Sequence, residues 1–279
     1  MTTTGVLVLG CGYVGSAVAR LARARGQPVF ATVRSEARAV ALRAERIAVL
    51  ALSELDRESL FARIDERTHV VVAFPPDDVT DARIAPALAR ARAISYVSST
   101  GVYGEHRGSV DDNTGLPGAP SARVQRILVA EQSYLALGAT VLRCPAIYGP
   151  ERGLHMRVLR GEHRIPGDGT RHVSRIHAAD LAQLLLASGD LDAATRSQTF
   201  VVGDLTPAPQ IEVVRFICKT YRVPMPEMVP LEAVPESLRA DRRVDPTRAL
   251  GVLRVTLSYP SYREGMAPAA TGIAPIGPV

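Results

Sequence analysis

The chain has 279 residues, 47% of them hydrophobic, and a formal net charge of +5. That is enough apolar sequence for one large core, or a core with a smaller lobe, and it excludes a disordered chain. No stretch approaches the roughly 20 apolar residues that span a bilayer, so no membrane partner is expected.

The first half alternates short β-branched runs with helical stretches. "GVLVLG" (5–10) reads as a buried strand and "YVGSAVARLARARG" (13–26) as a helix stopped by Gly26. "PVFATVR" (28–34) and "RIAVLAL" (46–52) are the next strands, followed by helical "RESLFARI" (57–64). "THVVVAFPP" (68–76), helical "DARIAPALARAR" (81–92) and "AISYVSS" (93–99) continue the pattern. A helix over 123–137 and the strand "ATVLRCP" (139–145) close it. Strands alternating with helices imply βαβ units, and so a Rossmann-type, doubly wound parallel sheet in an α/β fold.

After Pro150 the pattern breaks up, with helices expected at 178–191 and 210–222 and a strand at 198–204. Three segments are expected: a dinucleotide-binding domain over 1–150, a smaller substrate lobe over 151–264 interleaved with it, and a mobile tail over 265–279 with nothing to pack. The N-terminus has no charged leader or cleavage pattern, and Cys11, Cys144 and Cys218 stand far apart without metal or disulfide spacing. A cytoplasmic protein with reduced thiols and no metal is expected.

Positive charge is almost all arginine, with Lys219 the sole lysine. The arginines are strewn along helical stretches such as "ARLARARG" (19–26), without interleaved aromatics, so solvated helix faces are expected and no nucleic-acid partner.

Between the first strand and helix stand Gly10, Gly12 and Gly15, in G-x-G-x-x-G spacing, with Tyr13 and Val14 among them. The first glycine permits a tight turn, the second lets a pyrophosphate approach the backbone, and the third allows close helix–strand packing. The helix end then offers unpaired N–H groups to the phosphates. An acidic residue at the end of the second strand would bind the ribose of NAD, and an arginine suits the 2′-phosphate of NADP. Here Arg34 and Ser35 stand in that place, with Arg38 one turn later, so NADP(H) is expected over NAD(H).

With these glycines, "VSSTGVYG" (97–104), "LRCPAIYGPERG" (142–153) and "RIHAADLA" (175–182) in order, the chain resembles the extended short-chain dehydrogenase/reductase superfamily, the NAD(P)-dependent epimerase/dehydratase group. "VAFPP" (72–76) and "YPSYREGM" (259–266) are similar to an atypical subgroup. The resemblance implies that Phe74 and Pro75 lie against the adenosine and ribose, Pro145 and Ile147 against the nicotinamide, Ser98 at the cofactor and Ser99 at the reacting oxygen. It also makes a homodimer plausible by analogy.

The superfamily's Tyr-x-x-x-Lys pair is absent. By the resemblance Glu131 aligns near the end of that helix, which puts Arg123 and Ile127 at the two catalytic places, while four residues before Lys219 stands Arg215. A free tyrosine, with a pKa near 10, is a poor base without a neighbouring cation. Three explanations compete. Another group supplies the proton, with Tyr103, Tyr148, His155 or His177 as candidates. Alternatively Arg123 acts as an electrostatic clamp on a substrate, such as an iminium, that takes hydride with little acid assistance. In the third, chemistry is gone and the protein reports NADP(H) occupancy to a partner. Arg152, Arg157, Arg160, Arg164, Arg171 and Arg175 crowd the segment that builds the substrate pocket in the superfamily. Arg152, Arg171 and Arg175 are taken as the ligands of an anionic small molecule, because guanidinium forks suit carboxylate and phosphate.

Overall fold

Alternating apolar side chains explain the centre of the fold, a computed structural model that describes residues 4–51, 57–235 and 239–275. Strand β1 (Gly5–Leu9) sends Val6 and Val8 to one face of a sheet and Leu7 and Leu9 to the other, all buried. Its neighbours β2 (Val29–Val33), β3 (Ala48–Ala51), β4 (Thr68–Val72) and β5 (Ala93–Ser99) run parallel to it. Strand β6 (Arg107–Val110) leaves for the lobe, and β7 (Thr140–Cys144) returns to the sheet. The lobe holds β8 (Ala146–Tyr148), β9 (Ile165–Pro166), β10 (His172–Val173) and β11 (Arg175–His177). Then β12 (Thr199–Val201) rejoins the large sheet, and β13 (Ala208–Pro209), β14 (Met228–Val229) and β15 (Asp241–Val244) complete the lobe.

Among the described residues the large sheet has the order β12-β7-β5-β4-β1-β2-β3, with every pairing parallel. Helices α1 (Tyr13–Ala24) and α2 (Glu36–Ala44) pack on the Val6/Val8 face. Helices α3 (Arg57–Phe61), α4 (Asp78–Leu88) and α5 (Ala122–Ala136) cover the Leu7/Leu9 face. In the second half α6 (Leu154–Leu159) and α8 (Gln210–Tyr221) build the lobe, while α7 (Ala178–Ser188) lies beside α1. Helices α9 (Thr247–Leu253), α10 (Tyr262–Gly265) and α11 (Pro268–Thr271) end the described chain. This is the doubly wound α/β architecture read from the sequence. Among the described residues no helix is long and apolar enough to cross a membrane.

Two details bear on the expected segments. Residue 150 separates neither layer cleanly, because β6 from the first half pairs with β15, and β12 from the second half pairs with β7. The segment after 264, expected to be mobile, is packed as far as Ile273. Met266 is fully buried, and the Tyr221 hydroxyl donates to its carbonyl at 2.8 Å and lies 2.7 Å from Thr271 Oγ1. Gly265 lies against the Tyr148 ring with no room for a side chain, so one of the small residues is a packing requirement. Residues 276–279 lie outside the described residues.

One buried group makes stability depend on pH. His69 on β4 is buried, with Nε2 2.8 Å from Ser95 Oγ, itself 2.6 Å from Ser188 Oγ. Burial, aided by Arg92 and Arg196, pushes its pKa down from 6.5 to about 3. As pH falls below 6.5 the unfolded chain takes up this proton and the folded chain does not, so stability declines between about 6.5 and 3. Unfolding free energies from urea titrations of the parent chain and His69→Asn should therefore converge as pH drops, by about 3 kcal/mol near pH 4.5. A difference that stays flat with pH would refute this assignment.

Candidate functional site

The chain leaves β1 at Leu9 and enters α1 through Gly10, Cys11 and Gly12, and the three glycines of this turn meet different demands. Gly10 has φ +86°, and a Cβ there would stand 2.8 Å from Phe74 Cβ. A Cβ on Gly15 would stand 2.6 Å from the Gly10 carbonyl oxygen, so the helix can seat on the turn only if that position is bare. A Cβ on Gly12 would meet nothing within 4 Å. The end of β2 fixes the turn from the side: Gly10 N–H donates to Thr32 Oγ1 at 3.0 Å, and Cys11 N–H to the Thr32 carbonyl at 2.8 Å. Gly12 is the N-cap of α1, with no side-chain cap and no acid in the first turn. A partly positive helix end therefore faces open space.

That space is a cleft of about 790 Å³, whose walls include Gly12, Arg34, Ser35, Arg38, Phe74 and Pro75. It opens where the strand order reverses about β1 and β4, the usual ligand position in an open α/β sheet. Arg34 is exposed on the rim. Asp77 lines the same cleft, and the Thr80 hydroxyl, with a smaller contribution from Arg34, holds its carboxyl below the ordinary carboxylate range.

The expected cofactor residues do not all face this cleft with free groups. Ser35 Oγ caps α2 by accepting from Arg38 N–H at 3.4 Å. Arg38 was expected to hold a phosphate; its Nη2 instead donates to Ser16 Oγ at 2.5 Å, and its Nε to the Cys11 carbonyl at 3.4 Å. It braces the turn. Val14 packs on the core. The Tyr13 side chain leaves the cleft for the loop after β8, where its hydroxyl fills the space a Cβ on Gly149 would take and Arg152 lies 5.4 Å over its ring. Pro145 and Ile147, at β7's end and on β8, are both half-buried. Ser98 points inward and donates to Glu131 at 2.5 Å.

The candidate proton donors fare similarly. Ser99 ends β5 beside Cys144, and its Oγ accepts from Gly101 N–H at 3.0 Å, which leaves its own proton to donate. Tyr103 is buried, with its hydroxyl 3.1 Å from Arg143 Nη1; burial, only partly offset by Arg143, raises its pKa. Tyr148 is buried and donates to the Ser261 carbonyl at 3.2 Å, and burial raises its pKa further. Both phenols, two of the candidate proton suppliers, are packed in the interior with their hydroxyls bonded to protein groups. His177 caps α7, accepting from Ala179 N–H through Nδ1 at 3.2 Å, and burial pushes its pKa down to about 4. His155 is buried with Nε2 3.4 Å from the Pro150 carbonyl, and burial lowers its pKa as well. Arg123 is exposed on the first turn of α5, and Ile127 packs against the cluster containing Val102 and Tyr103. Lys219 is exposed on α8, in the lobe.

A second cavity of about 320 Å³ lies beside β8, and its walls include Ile147, Arg152, Arg157, Arg160, Arg175 and Met266. Arg175 is 3% exposed; its Nη1 donates to the Val173 carbonyl at 2.6 Å, and burial lowers its pKa to about 10. Asp204, buried nearby, is pushed up to about 7 by burial, and its Oδ2 has no partner. Arg171, expected here, instead donates to the Arg239 carbonyl at 3.2 Å and does not line the cavity. Arg164 turns to Glu227 at 3.4 Å. Arg157 and Arg160 take their place. Their i, i+3 spacing on a helix was the available signal.

Residues 6–100 match the model of the TrkA-N domain. Among solved structures, a functionally unknown conserved protein from Silicibacter pomeroyi DSS is 29% identical, with 98% of this chain and 100% of that chain covered and a TM-score of 0.81. MoeE5, solved with UDP-glucose and NAD, is 22% identical over 94% of this chain and 96% of that one, with a TM-score of 0.76. A UDP-glucuronic acid 4-epimerase from Bacillus cereus, solved with NAD, is 15% identical over the same shares, with a TM-score of 0.76. This chain shares its fold with NAD-dependent epimerases. No curated protein matches it.

Proposed function

We propose that the chain binds NADP(H) in the cleft and acts as an oxidoreductase or epimerase-like enzyme on an anionic small molecule, in a reducing cytoplasm. It is read as an atypical extended short-chain dehydrogenase/reductase that lacks the tyrosine–lysine pair. The observation that carries this is Gly12. Its neighbours Gly10 and Gly15 are closed in by protein, and Gly12 alone of the three faces an empty, partly positive helix end. Arg34, exposed on the same rim without an ion pair among the described residues, suits the 2′-phosphate. Titration should find NADPH bound more tightly than NADH. Arg34→Glu should weaken NADPH about 10- to 100-fold while changing NADH less than threefold. Equal losses for both cofactors would refute the role of Arg34.

When bound, the dinucleotide supplies or accepts hydride. Ser99, expected at the reacting oxygen, keeps a proton free for a hydrogen bond. A serine hydroxyl orients and polarises an oxygen or nitrogen; it is too weak an acid to protonate one outright. This favours a substrate that accepts hydride before it needs a proton.

A second reading, a sensor of NADP(H) without turnover, is favoured by the internal hydrogen bonds of Tyr103, Tyr148 and His177. Deuterium transferred from labelled NADPH into a product would decide for the enzyme. Tight NADPH binding, with no consumption across a substrate screen, would decide for the sensor.

A further inference from the structure

We infer that the arginine pocket takes a compact polyanion, a phosphomonoester or a di- or tricarboxylate, and excludes a nucleotide sugar. This rests on the reading above and deepens it by naming the ligand's class.

Three observations carry it. Guanidinium groups arrive from three separate pieces of chain: Arg152 from the loop after β8, Arg157 and Arg160 from the end of α6, and Arg175 from β11. Among the described residues none of the four is ion-paired. Exposed arginines tolerate this, but Arg175 is 3% exposed and has one carbonyl partner for a fork of five N–H donors. Asp204, buried nearby, is its one close carboxylate and makes no hydrogen bond to the guanidinium, so an anion held in the pocket would offset part of the cost of burying this charge.

The second observation is charge. Glu151 is the sole carboxylate among the described lining residues, against four arginines, so a ligand with one negative charge would leave the wall strongly positive. The third is size and surface. About 320 Å³ is at the low end of the roughly 300–1,000 Å³ of small-molecule sites. The apolar walls are aliphatic, with Ile147, Leu154 and Val173 on them. Tyr148, the aromatic among them, is 1% exposed and packed against His177 and Gly265, so it offers no free face to a nucleobase. Met266, fully buried ahead of α11, closes the wall that a longer ligand would have to displace.

The test uses the full chain loaded with NADPH, titrated calorimetrically at matched ionic strength with glucose 6-phosphate, citrate and UDP-glucose. At least one of the first two should bind saturably, tenfold or more tightly than UDP-glucose, and Arg157→Ala/Arg160→Ala should weaken it at least tenfold. The tighter of the two tells phosphoryl from carboxylate. Arg175→Met should weaken it further; if that variant fails to fold, the exposed pair carries the test. The inference is overturned if neither compact anion saturates, if UDP-glucose binds as tightly as they do, or if the double variant binds like the parent. A separate titration of the unloaded chain with NADPH keeps the two claims apart. No heat there ends the dinucleotide reading, while the same anions titrated into the unloaded chain still judge the pocket.

Discussion

Gly12→Val is expected to reduce NADPH affinity at least 100-fold while shifting stability by no more than about 1 kcal/mol, and Gly15→Val is expected to fail on stability instead. The two positions lie three residues apart in one motif, yet their surroundings differ. A side chain on Gly12 meets no protein atom, so its only cost to the folded chain is a poorer helix cap, roughly 1 kcal/mol. It would occupy the space where a diphosphate approaches the helix end. A side chain on Gly15 meets the Gly10 carbonyl oxygen at 2.6 Å, a backbone atom of the turn that cannot swing aside. Leaving glycine for a better helix former gains at most about 1 kcal/mol, and overpacking costs about 1–3 kcal/mol or more, so the clash wins. Urea curves and NADPH titrations on both variants check this. Gly12→Val binding NADPH within threefold of the parent would remove the principal support for a dinucleotide site.

Glu131→Ala is expected to cost about 3–5 kcal/mol, more than a typical single substitution in this fold. Arg143 reaches Glu131 through Nη2 at 2.7 Å and Nε at 3.0 Å, with the side chains 10% and 2% exposed. The carboxylate also accepts from Ser98, and Arg143 Nη1 holds the Tyr103 hydroxyl. Burial opposes the guanidinium's charge, but Glu131 and Tyr103 outweigh it and keep the pKa above the ordinary arginine value. Removing the carboxylate strands a buried cation and takes the acceptor from the Ser98 hydroxyl at once. Glu131→Leu/Arg143→Met should recover much of the loss, because replacing both charges leaves no stranded ion. Denaturant midpoints for the single and double variants provide the test. A single-variant cost under about 1 kcal/mol, or a double variant worse than either single, would show that the pair is not the unit described.

The other residues of α5 have different surroundings from Glu131. α5 carries its glutamate into the core, while Arg123 faces solvent and Ile127 joins an apolar cluster. The helix thus contributes a buried carboxylate and apolar side chains to the interior.

By itself the sequence determined the alternation of strands and helices, the parallel sheet, and the separate demands of Gly10 and Gly15. These follow from local rules: side-chain period, backbone sterics and the short reach between neighbouring residues. Arg34 at the rim was legible for the same reason, since its place at the end of β2 is set by the strand itself. Only the tertiary structure decided which polar groups remain free. Ser98 and Glu131 are 33 residues apart, and Tyr148 and Ser261 are 113 apart, so no window of sequence shows that these hydroxyls are already engaged. The same holds for the arginines: Arg171 is drawn to a carbonyl 68 residues away, while Arg157 and Arg160 turn into the pocket with Arg175. The segment after 264 looked unpackable because its residues are small, and smallness is what lets Gly265 lie against Tyr148. Hydrogen-bond satisfaction and close packing are properties of the assembled interior, and they are settled only when distant segments meet.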